Sequence, residues 1–251
     1  FDDCDFWEEV LTTAFGTPGA IDAGKMIANR ERGARTRHLP IQYLPGGVDV
    51  LNRRLKTYLD AVVELFSAIC HRTGARVIVD TSKAPAYGYL LANRPEIDLH
   101  VLHLVRDPRA TAYSWQKKKP LPGATSQRYM HRHSPAMNAV YWLSRQLPIE
   151  HFWRGANRYK LIRYEDFAVN PDRAIREALD LIGKDPDLSP VGSANEVWLQ
   201  PTHTVSGNPD RLKSGRTSIK LDDTWREELP LIQKAIVTLM TFPWLLAYGY
   251  P

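Results

Sequence analysis

Three dipeptides constrain this chain most: Asp107-Pro108, Ser134-Pro135 and Asn170-Pro171. In each, a side chain able to cap the first free helical N–H groups precedes a proline whose fixed φ suits the first helical position. Each therefore predicts a helix start. The first lies just after His100–Val105, an apolar run that reads as a buried strand. The second should open a helix carrying Ala139, Trp142, Leu143 and Leu147. The third should carry Ile175, Ala178, Leu179 and Ile182, closed by Gly183, and it follows a third predicted strand over Tyr159–Tyr164.

Upstream, Leu51, Leu55, Tyr58, Leu59, Val62, Phe66 and Ile69 recur at helical spacing, which predicts one helix over about 49–72, stopped by Gly74. The β-branched run Arg76–Val79 reads as a buried strand ending at Asp80, and a short helix is expected over about 85–94. Trp225, Leu229, Ile232, Ile236 and Leu239 mark a late helix. Strands alternating with helices place the chain in the α/β class, with a central parallel sheet flanked by helices on both faces. No repeat or low-complexity linker interrupts it, so a single domain is expected, with about 117–157 as a helical cover. In such sheets ligands sit beyond the carboxyl ends of the strands. Attention falls on Asp80–Lys83, Arg106–Ser114 and Tyr164–Asp166, with the polar loop His203–Arg216 as a fourth place.

Composition narrows the classes. No run of about 18 uncharged apolar residues exists, so no membrane span is expected, and the acidic, aromatic start is no signal peptide. Two cysteines, Cys4 and Cys70, make no disulfide framework, and a reducing cytoplasm is the default. A net charge of +5 suits an anionic ligand without pointing to nucleic acid.

Arg106 stands where a strand becomes a helix, so a planar cationic fork adjoins outward-pointing helical N–H groups, a combination suited to phosphate. Ser114, seven residues after the cap, returns to nearly the same helix face. Read from the residues alone, pairing of Arg106 with Asp107 or a neighbouring acid is as good an account. Asp80, ending a buried strand, is either a base raised by desolvation or a cap for the next turn. His203, titrating near neutrality, is either a base or a loop anchor. His131-x-His133 has no further ligand at metal spacing, and no metal is expected. Trp115, Trp142, Trp153 and Trp198 could line a pocket or simply fill the core.

The segment Val101–Trp115, VLHLVRDPRATAYSW, resembles the 3′-phosphate-binding segment of sulfotransferases that use 3′-phosphoadenosine 5′-phosphosulfate (PAPS). In that family an Arg at a strand end and a Ser eight residues later hold the 3′-phosphate, and Arg106 and Ser114 match. VIVDTSK, Val77–Lys83, resembles the Asp-Ser-Ser-Lys strand end of a bacterial branch, with Thr81 in place of the first Ser. IRYEDFAVNPDRAI, from Ile162, resembles the Tyr-Glu-Asp segment; HTVSGNPDRLKSG, from His203, resembles a His-x-x-x-Gly-Asn-Pro segment whose basic residues close over the cofactor. DCDFW near the start resembles that branch's Cys-Pro-Phe-Trp stretch.

The resemblance implies a P-loop-like α/β fold and transfer of a sulfuryl group from PAPS to a hydroxyl or amine, with release of adenosine 3′,5′-bisphosphate. It implies Arg106, Ser114, Tyr164, Arg211, Lys213 and Gly215 as cofactor-binding residues, with Tyr164 against the adenine. Lys83 would neutralise charge on the sulfuryl oxygens, and His203 or Asp80 would be the base, His203 first. The family's phosphosulfate loop, which follows its first strand, has no counterpart here, and the expectation is that the chain starts beyond it. A nucleotide kinase or other NTPase shares the architecture, and a non-catalytic anion-binding module would also present Arg106. The acceptor (carbohydrate, lipid, small alcohol or carrier-bound acyl chain) and the oligomeric state are not legible.

Overall fold

The three proline-led starts all form. In the computed structural model, which describes residues 4–118, 129, 131–192, 195–200, 202–203 and 213–251, each cap side chain accepts from the expected backbone N–H. Asp107 takes that of Arg109 at 2.8 Å, Ser134 that of Met137 at 3.3 Å and Asn170 that of Arg173 at 3.1 Å. The chain divides into two compact units, Phe1–Leu99 and His100–Pro251.

The first unit is helical: α1 (Asp5–Phe15), α2 (Ala23–Gly33), α3 (Leu39–Gln42), α4 (Gly47–Arg54), α5 (Lys56–Thr73) and α6 (Pro85–Ala92). Leu51, Leu55 and Leu59, each at most 1% exposed, form its core with Ala34, Tyr87, Leu90 and Leu91. Full burial of a leucine side chain contributes about 1.5–3 kcal/mol. The helix predicted over 49–72 is in fact two, because Leu55 leaves helical geometry at φ −102°, ψ 11°. The apolar pattern hides this break: residues 51, 55 and 59 stay on one buried side across it. Gly74 does end α5, in the left-handed region at φ 68° with its N–H on the Cys70 carbonyl.

Arg76–Val79 is not a strand. Among the described residues it joins no ladder, and Val79 is 82% exposed. β-branched residues favour a pleated, half-buried surface rather than an isolated extended chain, and here no neighbouring strand supplies that surface.

The second unit holds a parallel pair, β1 (Val101–Val105) and β2 (Tyr159–Arg163), in register from Val101↔Tyr159 to Val105↔Arg163. Between them run α7 (Pro108–Gln116) and α8 (Pro135–Trp153); then follow α9 (Tyr164–Val169), α10 (Pro171–Leu181), the antiparallel pair β3 (Glu196–Leu199) and β4 (Gly215–Ser218), α11 (Trp225–Glu228) and α12 (Leu231–Ala247). β1 was expected to be buried on both faces, but it alternates. His103 and Val105 point inward at 2% and 0% exposure, while Leu102 and Leu104 are about half exposed. The inward face packs on Trp142, Leu245, Tyr248 and Tyr250. Ala112, Ala139 and Val237, all fully buried, let α7, α8 and α12 approach closely.

His103 sits inside a polar network. Its Nδ1 is 2.8 Å from the Tyr159 hydroxyl and its Nε2 is 2.5 Å from the Gln146 side-chain oxygen; Tyr159 donates to Glu150 at 3.2 Å. Burial pushes the imidazole below its ordinary range, against the opposing pull of Gln146 and Glu150.

The late helix also differs from expectation. It breaks at Leu229-Pro230, because proline lacks an N–H and restarts the helix in a new phase. Trp225 and Leu229 are buried, but Ile232 and Leu239 are more than three-quarters exposed, and α12 buries Val237, Thr241 and Leu245 instead. Among the described residues no helix is long and apolar enough to cross a membrane.

Candidate active site

The site begins where β1 ends. The Arg106 carbonyl accepts the Trp142 indole N–H at 3.0 Å, which fixes the turn to α8. Its guanidinium lies over the Tyr164 ring, 4.4 Å from the centroid. One terminal nitrogen donates to Asp222, to the backbone carbonyl at 2.9 Å and the carboxylate at 3.3 Å. Its Nε is buried and has no hydrogen-bond partner among the described residues.

Asp222 is held by a hydrogen bond from the Thr224 hydroxyl at 2.8 Å. That contact, followed by Arg106, keeps its carboxyl below the usual range despite partial burial, and nearby Lys117 acts in the same direction. Arg106 thus pairs with an acid, but not Asp107. Asp107 is 2% exposed and is occupied by capping α7 and by Arg109, 2.7 Å away. Ser114 is half-buried in the last turn of α7.

The turn is braced from α9. Glu165 accepts the Asp107 N–H at 3.2 Å and the Tyr250 hydroxyl at 2.7 Å. Tyr164 and Glu165 were expected at the end of a strand; they open a helix instead, which turns Glu165 back to the β1–α7 junction. Glu165 is therefore a structural acceptor, as its neighbour Asp166 at 69% side-chain exposure is not.

A cleft of about 620 Å³ runs along β2, α9 and α10, bounded by Ile162, Arg163, Asn170, Arg173 and Glu177. Asp166 and Asn170 line it, but none of the candidate cofactor-binding or catalytic residues does. Its charges are already satisfied, with Glu177 taking Arg173 at 2.9 Å and Lys160 at 3.1 Å.

No family model matches the chain. Carbohydrate sulfotransferase 3 of Mus musculus is 27% identical over 173 residues, covering 64% of this chain and 35% of that protein. Carbohydrate sulfotransferase 6 of Homo sapiens is 28% identical over 162 residues, covering 57% of this chain and 39% of that protein. The chain therefore spans little more than a third of the length of the curated relatives it matches. The sulfotransferase domain from the Synechococcus PCC 7002 olefin synthase aligns with 98% of this chain and 91% of that domain, at TM-score 0.50 and 19% identity.

The chain is similar to carbohydrate sulfotransferases in sequence and to a sulfotransferase domain in fold.

The other expected residues stand as follows. Asp80 and Lys83 belong to the first unit, and both are exposed. Asp80 was expected to be desolvated at a strand end; instead its carboxylate accepts the Ser82 N–H at 2.7 Å, the turn-capping alternative. Lys83 is held at φ 57°, a region that a residue with a side chain seldom adopts. His203 and Lys213 are exposed, in the second unit. Arg211 lies outside the described residues. Gly215 opens β4 at φ +86° with nothing within 4 Å of where a Cβ would stand. Its positive φ favours glycine there.

Trp142 is core, Trp198 is 68% exposed opposite Arg216, and Trp115 packs on His133 with ring centroids 5.0 Å apart. Among the described residues no three potential metal ligands cluster. Sequence reading missed Asp222, Thr224 and the anchoring role of Trp142, since no local pattern links residues this far apart in the chain.

Proposed function

We propose that this chain is a sulfotransferase, which transfers a sulfuryl group from PAPS to a hydroxyl or amine of a carbohydrate acceptor and releases adenosine 3′,5′-bisphosphate. The observation that carries the reading is Arg106: a guanidinium at a strand end, positioned by Tyr164 and Asp222, with a buried Nε lacking any partner among the described residues. Such an orphaned donor fits an incoming phosphate oxygen. The sequence kinship with carbohydrate sulfotransferases supports the acceptor class.

Bound PAPS supplies the sulfuryl group. The chain's residues bind, orient and move a proton. Arg106 and Ser114 would hold the 3′-phosphate, with Lys213, Gly215 and Arg211 of the following loop closing over the nucleotide. One face of the Tyr164 ring is taken by Arg106, so Tyr164 orients that guanidinium and leaves its other face for the adenine. His203, or else Asp80, would accept the acceptor's proton, since an alcohol is a weak nucleophile until its proton is taken. Lys83 would offset charge on the sulfuryl oxygens. Its backbone at positive φ supports that role, because such conformations persist where surrounding structure enforces them, often at functional sites.

The test is transfer of labelled sulfate from PAPS to a panel of oligosaccharides by the parent, His203→Ala and Asp80→Asn proteins. Transfer that falls by about a hundredfold or more in one variant identifies the base, in line with what acid–base catalysis contributes. Nucleotide binding without transfer to any acceptor would instead make the chain a non-catalytic anion-binding module. Strict dependence on ATP and Mg²⁺ would restore the kinase reading.

A further inference from the structure

Between Asp107 and Glu150 the sequence contains no aspartate or glutamate, yet it holds seven lysines and arginines and two histidines. With 28 acids in 251 residues, a stretch of that length would be expected to carry about five. Among the described residues the one ion pair in the stretch is Arg109 with Asp107, at 2.7 Å. A surface that accumulates one sign of charge without internal compensation raises its own free energy, and an anionic partner relieves this.

The structure places part of this charge among aromatic rings. His133 lies 5.0 Å from Trp115, 4.6 Å from His131 and 4.7 Å from Tyr141, centroid to centroid. Arg145 lies 5.8 Å from the Tyr141 centroid, and Lys117 lies 4.3 Å from that of Tyr113. Tyr141 and Arg145 are exposed, one helical turn apart on α8. Burial, then His131 and Arg145, pushes the His133 imidazole below its ordinary range, so at neutral pH it contributes a ring face rather than a charge. Lys117 connects this group to the site: it follows Ser114 by three residues and acts on the Asp222 carboxylate that pairs with Arg106.

Resting on the function proposed above, we infer that Trp115, His133, Tyr141 and Arg145, with Lys117, form the acceptor subsite and that it takes an acidic saccharide. Ring faces suit the apolar C–H face of a pyranose. Arg145, a planar fork with no carboxylate partner among the described residues, suits a carboxylate or sulfate on the same or the next sugar. A neutral sugar would leave the charge uncompensated, and a lipid chain would have to desolvate it.

The experiment is calorimetric titration of the whole chain with a uronate-bearing tetrasaccharide and with the same tetrasaccharide after carboxyl reduction, alongside adenosine 3′,5′-bisphosphate. The charged sugar is expected to bind at least tenfold tighter than the reduced one, and more weakly as salt rises. Arg145→Ala is expected to remove most of that difference; Tyr141→Ala is expected to weaken both sugars. Both substitutions are at exposed positions, and retained bisphosphate binding shows that the variants fold. Equal affinity for the two sugars, no binding of either, or no effect of either variant would overturn the inference. So would binding of an acidic carrier protein in place of both sugars. Sugar binding that survives while bisphosphate binding is absent supports this subsite and sinks only the donor assignment.

Discussion

Replacing Arg106 by alanine tests the donor assignment most directly. The side chain donates to Asp222, lies on Tyr164 and is 24% exposed, so its charge is only partly screened by water. A charge-assisted hydrogen bond to phosphate contributes about 1.5–3 kcal/mol, which corresponds to a loss of about ten- to a hundredfold in affinity. The stability cost is smaller. Asp222 is 42% exposed, so the ion pair contributes no more than about 1 kcal/mol after screening. The cation–π contact adds a similar amount. A domain of ordinary stability survives both losses. Calorimetric titration with adenosine 3′,5′-bisphosphate, and with adenosine 5′-phosphate as the control lacking the 3′-phosphate, reads the effect. The parent should prefer the bisphosphate, and Arg106→Ala should lose that preference while binding the monophosphate as before. Arg106→Lys should fall between, since it keeps the charge and loses the planar fork. Bisphosphate affinity within twofold of the parent in Arg106→Ala would refute the argument.

The buried network around His103 gives a pH prediction. Its folded value is depressed, so its contribution to stability is fully present above the ordinary histidine value of 6.5 and is lost as pH falls below it, where the unfolded chain takes up the proton first. Chemical denaturation from pH 7.5 to 5 should show this slope, and His103→Phe should flatten it while costing about 1–3 kcal/mol through unsatisfied Tyr159 and Gln146. At Gly215, φ +86° with open space around the Cβ position means that alanine pays in backbone strain alone. Gly215→Ala should cost about 1–3 kcal/mol in thermal unfolding, and a neutral result would show that the hairpin adopts another conformation in solution.

Local chemistry was legible in the sequence. The caps at Asp107, Ser134 and Asn170 depend on neighbouring residues only, and they form as read. Positions decided by distant partners were not. Arg76–Val79 has the residues of a strand, but strand formation depends on a neighbour outside the segment. Leu55 and Pro230 interrupt helices whose apolar spacing looks continuous, because periodicity reports burial and not backbone continuity. At the site, the position of Arg106 was readable from the strand–helix junction, whereas its partner, Asp222, lies 116 residues further along the chain. Asp80 was read as desolvated on the assumption that its strand existed, so that error follows from the earlier one.

The pairing of Arg106 with Asp222 has a consequence for selectivity. The guanidinium is never a bare cation waiting for a ligand; it behaves like an ion-exchange resin loaded with its own counter-ion. A carboxylate tethered by the fold acts at an effective local concentration in the millimolar range or above. Free chloride, sulfate or inorganic phosphate must compete with that carboxylate for the same charge, with nothing else to hold them in place. Under the function proposed above, a nucleotide would bring its 3′-phosphate while its base and remaining phosphates are held elsewhere, so it would compete with Asp222 as one tethered anion beside another. On that reading, the same residue that positions Arg106 would filter the small anions of the surrounding medium from the site.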